Sequence, residues 1–220
     1  MLNNFLIGIV FLTFSINVFS SESYPGLPEK VDPSQKYVFY SHGYIVEGKN
    51  EQPVNPKWGV YDFPAIKNKL SDSSYNLIAY HRHKNTDPFK YAKKLANEVN
   101  SLIDAGVPPK NIALVGFSRG GAITILASNE LKNREINFAI LAGCAGLAKN
   151  SPKLQLYGHV FSIYETSDQV GSCNFMKERS TGISSFSEIA ISTGKEHGAF
   201  YLPRDEWVVP LKQWLQVAFR

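Results

Sequence analysis

The pentapeptide Gly116-Phe117-Ser118-Arg119-Gly120 sets a serine between two glycines at the spacing G-x-S-x-G. The run 111–115 before it is short, apolar and β-branched, which is the composition of a buried strand. The run 121–127 after it reads as the opening turns of a buried helix. A serine at such a strand-to-helix turn is held in a strained conformation that lifts its hydroxyl above the end of the sheet, where it can attack a carbonyl carbon. Side chains at 116 and 120 would collide with the flanking backbone, which accounts for both glycines. A helix that merely opens on a Gly-rich turn would give the same five residues, so the pattern gains meaning only from partners.

A serine nucleophile needs a base to take its proton and a carboxylate to orient that base. In the hydrolase version of a doubly wound sheet these follow in the order serine, acid, histidine. Downstream of Ser118 the histidines are His159 and His197. His159 falls at the start of a predicted strand, and His197 falls in the loop after the last one, so His197 is the expected base. Glu165 and Asp168 both follow the strand that ends near Tyr164. Asp168 is preferred because it sits further into the loop and can reach back to the imidazole; Glu165 stays open as the alternative. An oxyanion needs two backbone donors. One is expected from Arg119, the residue after the serine. The other is expected from Tyr44, because Ser41-His42-Gly43-Tyr44 follows the first predicted strand and is similar to the His-Gly turn of many hydrolases. His42 then reads as a brace for that loop.

The elements that must position these residues are legible as alternating patterns. Strands are predicted over 36–41, 75–80, 111–115, 136–142, 158–164 and 187–192, with a polar loop over 46–58. A helix is predicted over 62–70. Asp87-Pro88 opens the clearest helix, with an apolar stripe of Ala92, Leu95, Ala96, Val99, Leu102 and Ile103, closed by Gly106. A closing helix spans 207–219, where Pro210 implies a late start or a kink. Strands alternating with helices predict an α/β fold: a doubly wound, mostly parallel sheet of about six strands flanked by helices. Ligands of such sheets sit at the carboxyl ends of the strands. The link over 143–156 is too short to hold a lid domain.

The 220 residues suit one domain, predicted over 21–220, and 44% apolar with 19% charged residues is ordinary for a soluble globule. Net charge is +4, and Lys90, Lys93 and Lys94 fall on the polar side of a helix, so no nucleic-acid partner is expected. Residues 1–20 contain no Asp, Glu, Lys or Arg and are apolar over 5–14, with small residues before Ser21. That reads as a signal peptide of an exported protein, without stable membrane insertion after cleavage. The chain's two cysteines, Cys144 and Cys173, follow adjacent predicted strands at the same end of the sheet. Neighbouring strands lie ~4.8 Å apart, so export and geometry together predict a disulfide.

Taken with the ordered Ser118, Asp168 and His197, the chain resembles the α/β-hydrolase superfamily over residues 37–219. It is similar to its small dienelactone-hydrolase-like and carboxylesterase-like serine hydrolases. The resemblance implies a Ser118–His197–Asp168 triad, an acyl-enzyme, a small-molecule ester substrate and no cofactor. The chain departs from larger members in lacking a lid and in reducing the early antiparallel strands to the stretch before Lys36. Walls from the loop over 44–58, the turn over 81–87 and Phe200-Tyr201 would form an open cleft for a short acyl group. Two rival readings are a metal-dependent hydrolase using His42, His81 and His83, and a non-catalytic binding protein on the same scaffold.

Overall fold

The computed structural model describes Ser23, Tyr24 and residues 26–220; the predicted signal peptide over 1–20 lies outside the described residues. In chain order the strands are β1 (Ser23–Tyr24), β2 (Tyr37–Ser41), β3 (Val54–Asn55), β4 (Gly59–Val60), β5 (Asn76–Ile78), β6 (Ile112–Phe117), β7 (Asn137–Leu141), β8 (Tyr157–Glu165) and β9 (Gly182–Ile191). Seven of them form one sheet in the order β1-β5-β2-β6-β7-β8-β9, and every neighbouring pair is parallel. The two-residue strands β3 and β4 pair antiparallel at the end of the polar loop predicted over 46–58 and just past it.

Alternation along each strand sends side chains to two separate cores. Val38 and Tyr40 of β2, Val115 and Phe117 of β6, and Leu141 of β7 pack under α1 (Phe63–Leu70) and α6 (Asp205–Ala218). Tyr37, Phe39, Leu114 and Ile140 face the other way, under α2 (Pro88–Asp104) and α3 (Arg119–Leu131). The shorter α4 (Gly146–Asn150) and α5 (Asn174–Arg179) add Ala148 and Met176 to that second core. Burial of both faces is why these strands read as unbroken apolar runs. Asp87 caps α2 by accepting from Phe89 and Lys90 N–H, with Pro88 at the first helical position.

Three details differ from the sequence reading. A seventh strand, β1, adds to the edge beside β5 as a parallel strand, and with two residues it carries no readable pattern. Strand β9 starts at Gly182, ahead of the predicted start at 187, because Ser184 and Ser185 on this edge strand are solvent-exposed and need no apolar side chain. Helix α6 starts at Asp205 and carries Pro210 in its second turn, so the late start is corrected. Asp205 and Glu206 in the first turn favour that earlier start through the helix dipole.

The reversal of strand order falls between β2 and β6, with β5 on one side of β2 and β6 on the other. The crevice at the carboxyl ends of β2 and β6 is therefore the expected ligand position. The link between β7 and β8 holds α4 and no inserted domain.

Cys144, after β7, and Cys173, before α5, have Cα atoms 5.3 Å apart with their sulfurs at bonding distance, and both side chains are buried. A bond here would close a loop of sequence separation 29. In the chain-entropy description such a loop contributes about 3–4 kcal/mol. The expected results are no titratable thiol in the denatured, unreduced protein, and a loss of about that size in Cys144→Ser/Cys173→Ser by chemical denaturation. Two free thiols would show the pair unbonded.

Candidate active site

Strand β6 ends at Phe117 and α3 begins at Arg119, so the chain reverses direction at Ser118 alone. Ser118 adopts φ 55° and ψ −115°. A non-glycine residue there costs on the order of 1–3 kcal/mol and must be held by its surroundings. Ser118 N–H donates to Leu141 O at 2.9 Å, and its carbonyl accepts from Ala122 N–H at 2.9 Å. The two flanking glycines are required by contact: a Cβ at Gly116 would stand 2.1 Å from Gly120 O, and one at Gly120 would stand 1.9 Å from Ser41 O. The elbow thus packs its backbone directly onto β2.

His197 lies in the 3-10 turn Glu196–Phe200 that follows β9. With its proton on Nδ1 it donates to Asp168 Oδ2 at 2.6 Å, while Nε2 accepts from the Ser118 hydroxyl at 2.7 Å. The His197 ring packs against Phe117 and Trp58, with ring centroids 4.8 and 5.5 Å apart. Glu165, the alternative acid, makes no such contact and is fully buried. One of its oxygens accepts from Ser167 N–H at 2.6 Å, and the other from Thr193 and Gly194 N–H at 2.9 and 3.0 Å. Burial pushes its carboxyl up, but the bonds from Ser167, Thr193 and Gly194 outweigh that and hold it below the usual carboxylate range. Glu165 therefore ties the loop that carries Asp168 to the turn that leads to His197. His159, at the start of β8, bonds Ser185 Oγ at the opposite end of the sheet.

Tyr44 is the first residue of the 3-10 turn Tyr44–Val46, and Arg119 is the first residue of α3. Backbone N–H groups at such positions have no partner within their own helix and are free to face a ligand. His42, two residues before Tyr44, is fully buried, with its ring against Phe63 and His81. Its Nδ1–H donates to Gly43 O at 2.7 Å, and its Nε2 accepts from Arg82 N–H at 2.9 Å. Burial first, and then the Arg82 guanidinium, hold its imidazole well below the ordinary histidine value.

The metal reading fails on these contacts. Both His42 nitrogens are engaged, His81 Nε2–H donates to Val46 O at 2.6 Å, and His83 is exposed. Among the described residues no three His, Cys, Asp or Glu side chains gather as a metal site.

Two open clefts meet at Ser118. The larger, ≈ 700 Å³, runs between Lys57 and Trp58 on one side and Leu147, Val170 and Pro88 on the other. The smaller, ≈ 480 Å³, lies under Tyr44, Ile45, Asn55 and Tyr201. The expected wall at Phe200 is corrected: Phe200 is fully buried, stacked on Phe117 at 5.2 Å between centroids. The sequence reading missed Leu147 and Val170 as walls, and also Glu196, whose carboxylate accepts from Trp58 Nε1–H at 3.3 Å and pairs with Lys57. No spacing marks these residues, since their positions depend on loops brought together only by the sheet.

A parallel, doubly wound sheet with a serine elbow at its switch point defines the chain as an α/β hydrolase. Residues 29–195 match the phospholipase/carboxylesterase family, which is most of the chain, and the protein belongs to that family. The match stops just short of His197. No curated protein matches the sequence. Among solved structures, SOBER1 of Arabidopsis thaliana superposes with a TM-score of 0.56 at 13% identity, covering 85% of this chain and 100% of that one. Est1E from Butyrivibrio proteoclasticus gives 0.56 at 11% identity over 88% and 92% of the two chains. A predicted CIB-like hydrolase from Thermoplasma acidophilum gives 0.54 at 17% identity over 86% and 89%. At these identities the likeness is one of fold.

The neutral burial of His42 has a consequence for stability. Its folded value lies below the unfolded value of about 6.5, so below that pH the unfolded chain binds a proton that the folded chain refuses. Stability present at neutral pH is then lost as pH falls through about 6.5, and Glu165 adds a further loss below about 4.3 as its carboxylate protonates. Urea denaturation between about pH 7 and 5 should show this decline, and His42→Gln should make it shallower. An unchanged slope in the variant would place the proton uptake elsewhere.

Proposed function

We propose that the protein is a serine esterase acting on short, soluble carboxylic esters through an acyl-enzyme. The observation that carries this reading is the continuous hydrogen-bonded path from Asp168 Oδ2 through His197 to Ser118 Oγ, on a turn whose strain exposes the hydroxyl. Ser118 Oγ adds to the ester carbonyl carbon while its proton passes to His197 Nε2. The oxyanion of the tetrahedral intermediate is stabilised by the N–H groups of Tyr44 and Arg119. His197 then returns the proton to the departing alkoxide as the C–O bond breaks, leaving an acyl ester on Ser118. A water molecule, deprotonated by His197, repeats the addition and releases the acid. Asp168 keeps the imidazole in the Nδ1–H tautomer and offsets the charge of the imidazolium. The step sequence needs no metal or cofactor.

Membership of the phospholipase/carboxylesterase family supports ester bonds as the substrate class. The preference for short acyl groups rests on the cleft. Its apolar lining comes from Ala122, Ala142, Ala145, Leu147 and Val170, and no inserted domain covers it. A long acyl chain would lie along an open surface and leave much of its length in water. Export is part of the same proposal, supported by the absence of charged side chains over 1–20, the apolar stretch over 5–14 and the paired cysteines.

A panel of acyl esters of graded length tests the specificity. The expected kcat/KM falls as the acyl chain lengthens beyond a few carbons, with no jump when the substrate forms micelles; a steady rise to palmitoyl would contradict it. Ser118→Ala should lower kcat by something on the order of 10⁶-fold. Asp168→Asn should lower it by about 10⁴-fold through the wrong histidine tautomer. A greater loss in Glu165→Gln than in Asp168→Asn would move the acid role to Glu165.

A further inference from the structure

A buried charge cluster lies beneath the two backbone donors, and the reaction steps above make no use of it. Glu47 and Arg82 have side chains only 1% and 0% exposed, with Arg82 Nε 3.4 Å from Glu47 Oε1. The same Glu47 oxygen lies 3.7 Å from Nε of Arg119, whose side chain is 29% exposed. Glu47 Oε2 accepts from Thr86 N–H at 3.2 Å. Arg82 reaches the loop three further times: its Nη2 donates to His42 O, its backbone N–H donates to His42 Nε2, and its carbonyl accepts from Gly48 N–H. The Arg119 guanidinium in turn lies over the Tyr44 ring, 4.7 Å from its centroid.

The arrangement joins two chain segments that the reaction must hold in register. Tyr44 belongs to the turn after β2, and Arg119 to the first turn of α3. The serine-esterase reading requires their N–H groups to converge on one oxygen. Glu47 lies 3.7 Å from the Arg119 side chain and grips the Tyr44 loop through Arg82, so one carboxylate bridges two segments that backbone packing makes neighbours and can fix the aim of their donors. A buried ion pair contributes little net stability once desolvation is counted, so geometry is the main thing this one supplies. Arg82 also keeps Nη1 buried without a hydrogen-bond partner, which is a poor arrangement for stability alone. Two guanidiniums facing one carboxylate leave a net positive charge beside the site where negative charge develops.

We infer that Glu47 is a positioning residue for the oxyanion hole, acting through its paired contacts with Arg82 and Arg119. The inference rests on the serine-esterase reading and adds to it a residue whose effect falls on the transition state.

The test compares wild type, Glu47→Gln, Arg119→Gln and Arg119→Lys by steady-state kinetics on a short-chain ester and by inhibition with a boronic acid, which forms a tetrahedral oxyanion mimic on the serine. Loss of a whole oxyanion donor costs about 10²–10³-fold in kcat, so misplacing the pair should cost about 10–100-fold. Glu47→Gln and Arg119→Gln are expected to lose that much kcat and the same factor of boronate affinity, with KM within about threefold. Arg119→Lys, which keeps a cation within reach of Glu47, is expected to recover at least a third of the kcat and boronate affinity that Arg119→Gln loses. Arg119 is partly exposed and its variants keep the backbone N–H, so the Arg119 pair decides the matter if Glu47→Gln does not fold. An active wild type whose Gln variants keep kcat and boronate affinity would overturn this inference and leave the esterase reading standing. Variants that change only KM or thermal stability would overturn it equally. A wild type inert to both ester and boronate would overturn the esterase reading itself, and this inference with it.

Discussion

Everything in the site depends on one steric constraint: the chain must turn from β6 into α3 within a single residue. That reversal forces Ser118 to positive φ and brings the start of α3 so close to β6 that only glycine fits at 116, and so close to β2 that only glycine fits at 120. Because the elbow packs directly on β2, the loop that leaves β2 at Ser41 passes over the same spot. The two expected oxyanion donors and Ser118 are thus brought near one another by backbone packing. The strain at Ser118 is balanced by its hydrogen bond to Leu141 O on the next strand, so the turn is fixed by the sheet it grows from.

The remaining groups reach Ser118 from the other side of the switch point. Strands β8 and β9 pair in parallel from Tyr157 and Gly182 to Glu165 and Ile191, with one register shift between Gly158 and His159, so their following loops emerge side by side. Asp168 and His197 sit in those two loops, and Glu165 joins the loops by accepting N–H bonds from both. The two carboxylates divide their work by depth. Glu165, at the strand end, is saturated by backbone donors, while Asp168, further out, has an oxygen left for the imidazole. Cys173 lies in the loop after β8, and its pairing with Cys144 ties that loop to the end of β7, close to the wall that Ala145 and Val170 give to the larger cleft.

Much of this was legible in the sequence because it follows from short-range physics. The elbow declares itself through glycine spacing, α2 through its Asp87-Pro88 start and apolar stripe, and the sheet through apolar runs buried on both faces. The choice between Glu165 and Asp168 stayed open because both stand at the carboxyl end of β8, and only the tertiary contact with Thr193 and Gly194 separates them. Glu47 and Arg82 were invisible as partners: 35 residues apart, in a chain of ordinary charge content, they look like surface charges until the fold buries them together. Trp58 lay in a loop that read as polar, and its place beside His197 depends on the small hairpin of β3 and β4. Phe200 misled in the opposite direction. An aromatic near the base suggests a pocket wall, but its ring turns inward to fill the core behind Phe117.

The central claim is that Ser118 is the nucleophile, and covalent trapping tests it most directly. The intact protein would be treated with a fluorophosphonate, weighed by mass spectrometry and then digested to locate the adduct. The account predicts one phosphonyl group per chain, carried by Ser118 on the peptide that spans the elbow, with ester hydrolysis falling in proportion to labelling. Full hydrolytic activity in an unlabelled protein, or an adduct on another residue that abolishes activity, would contradict it.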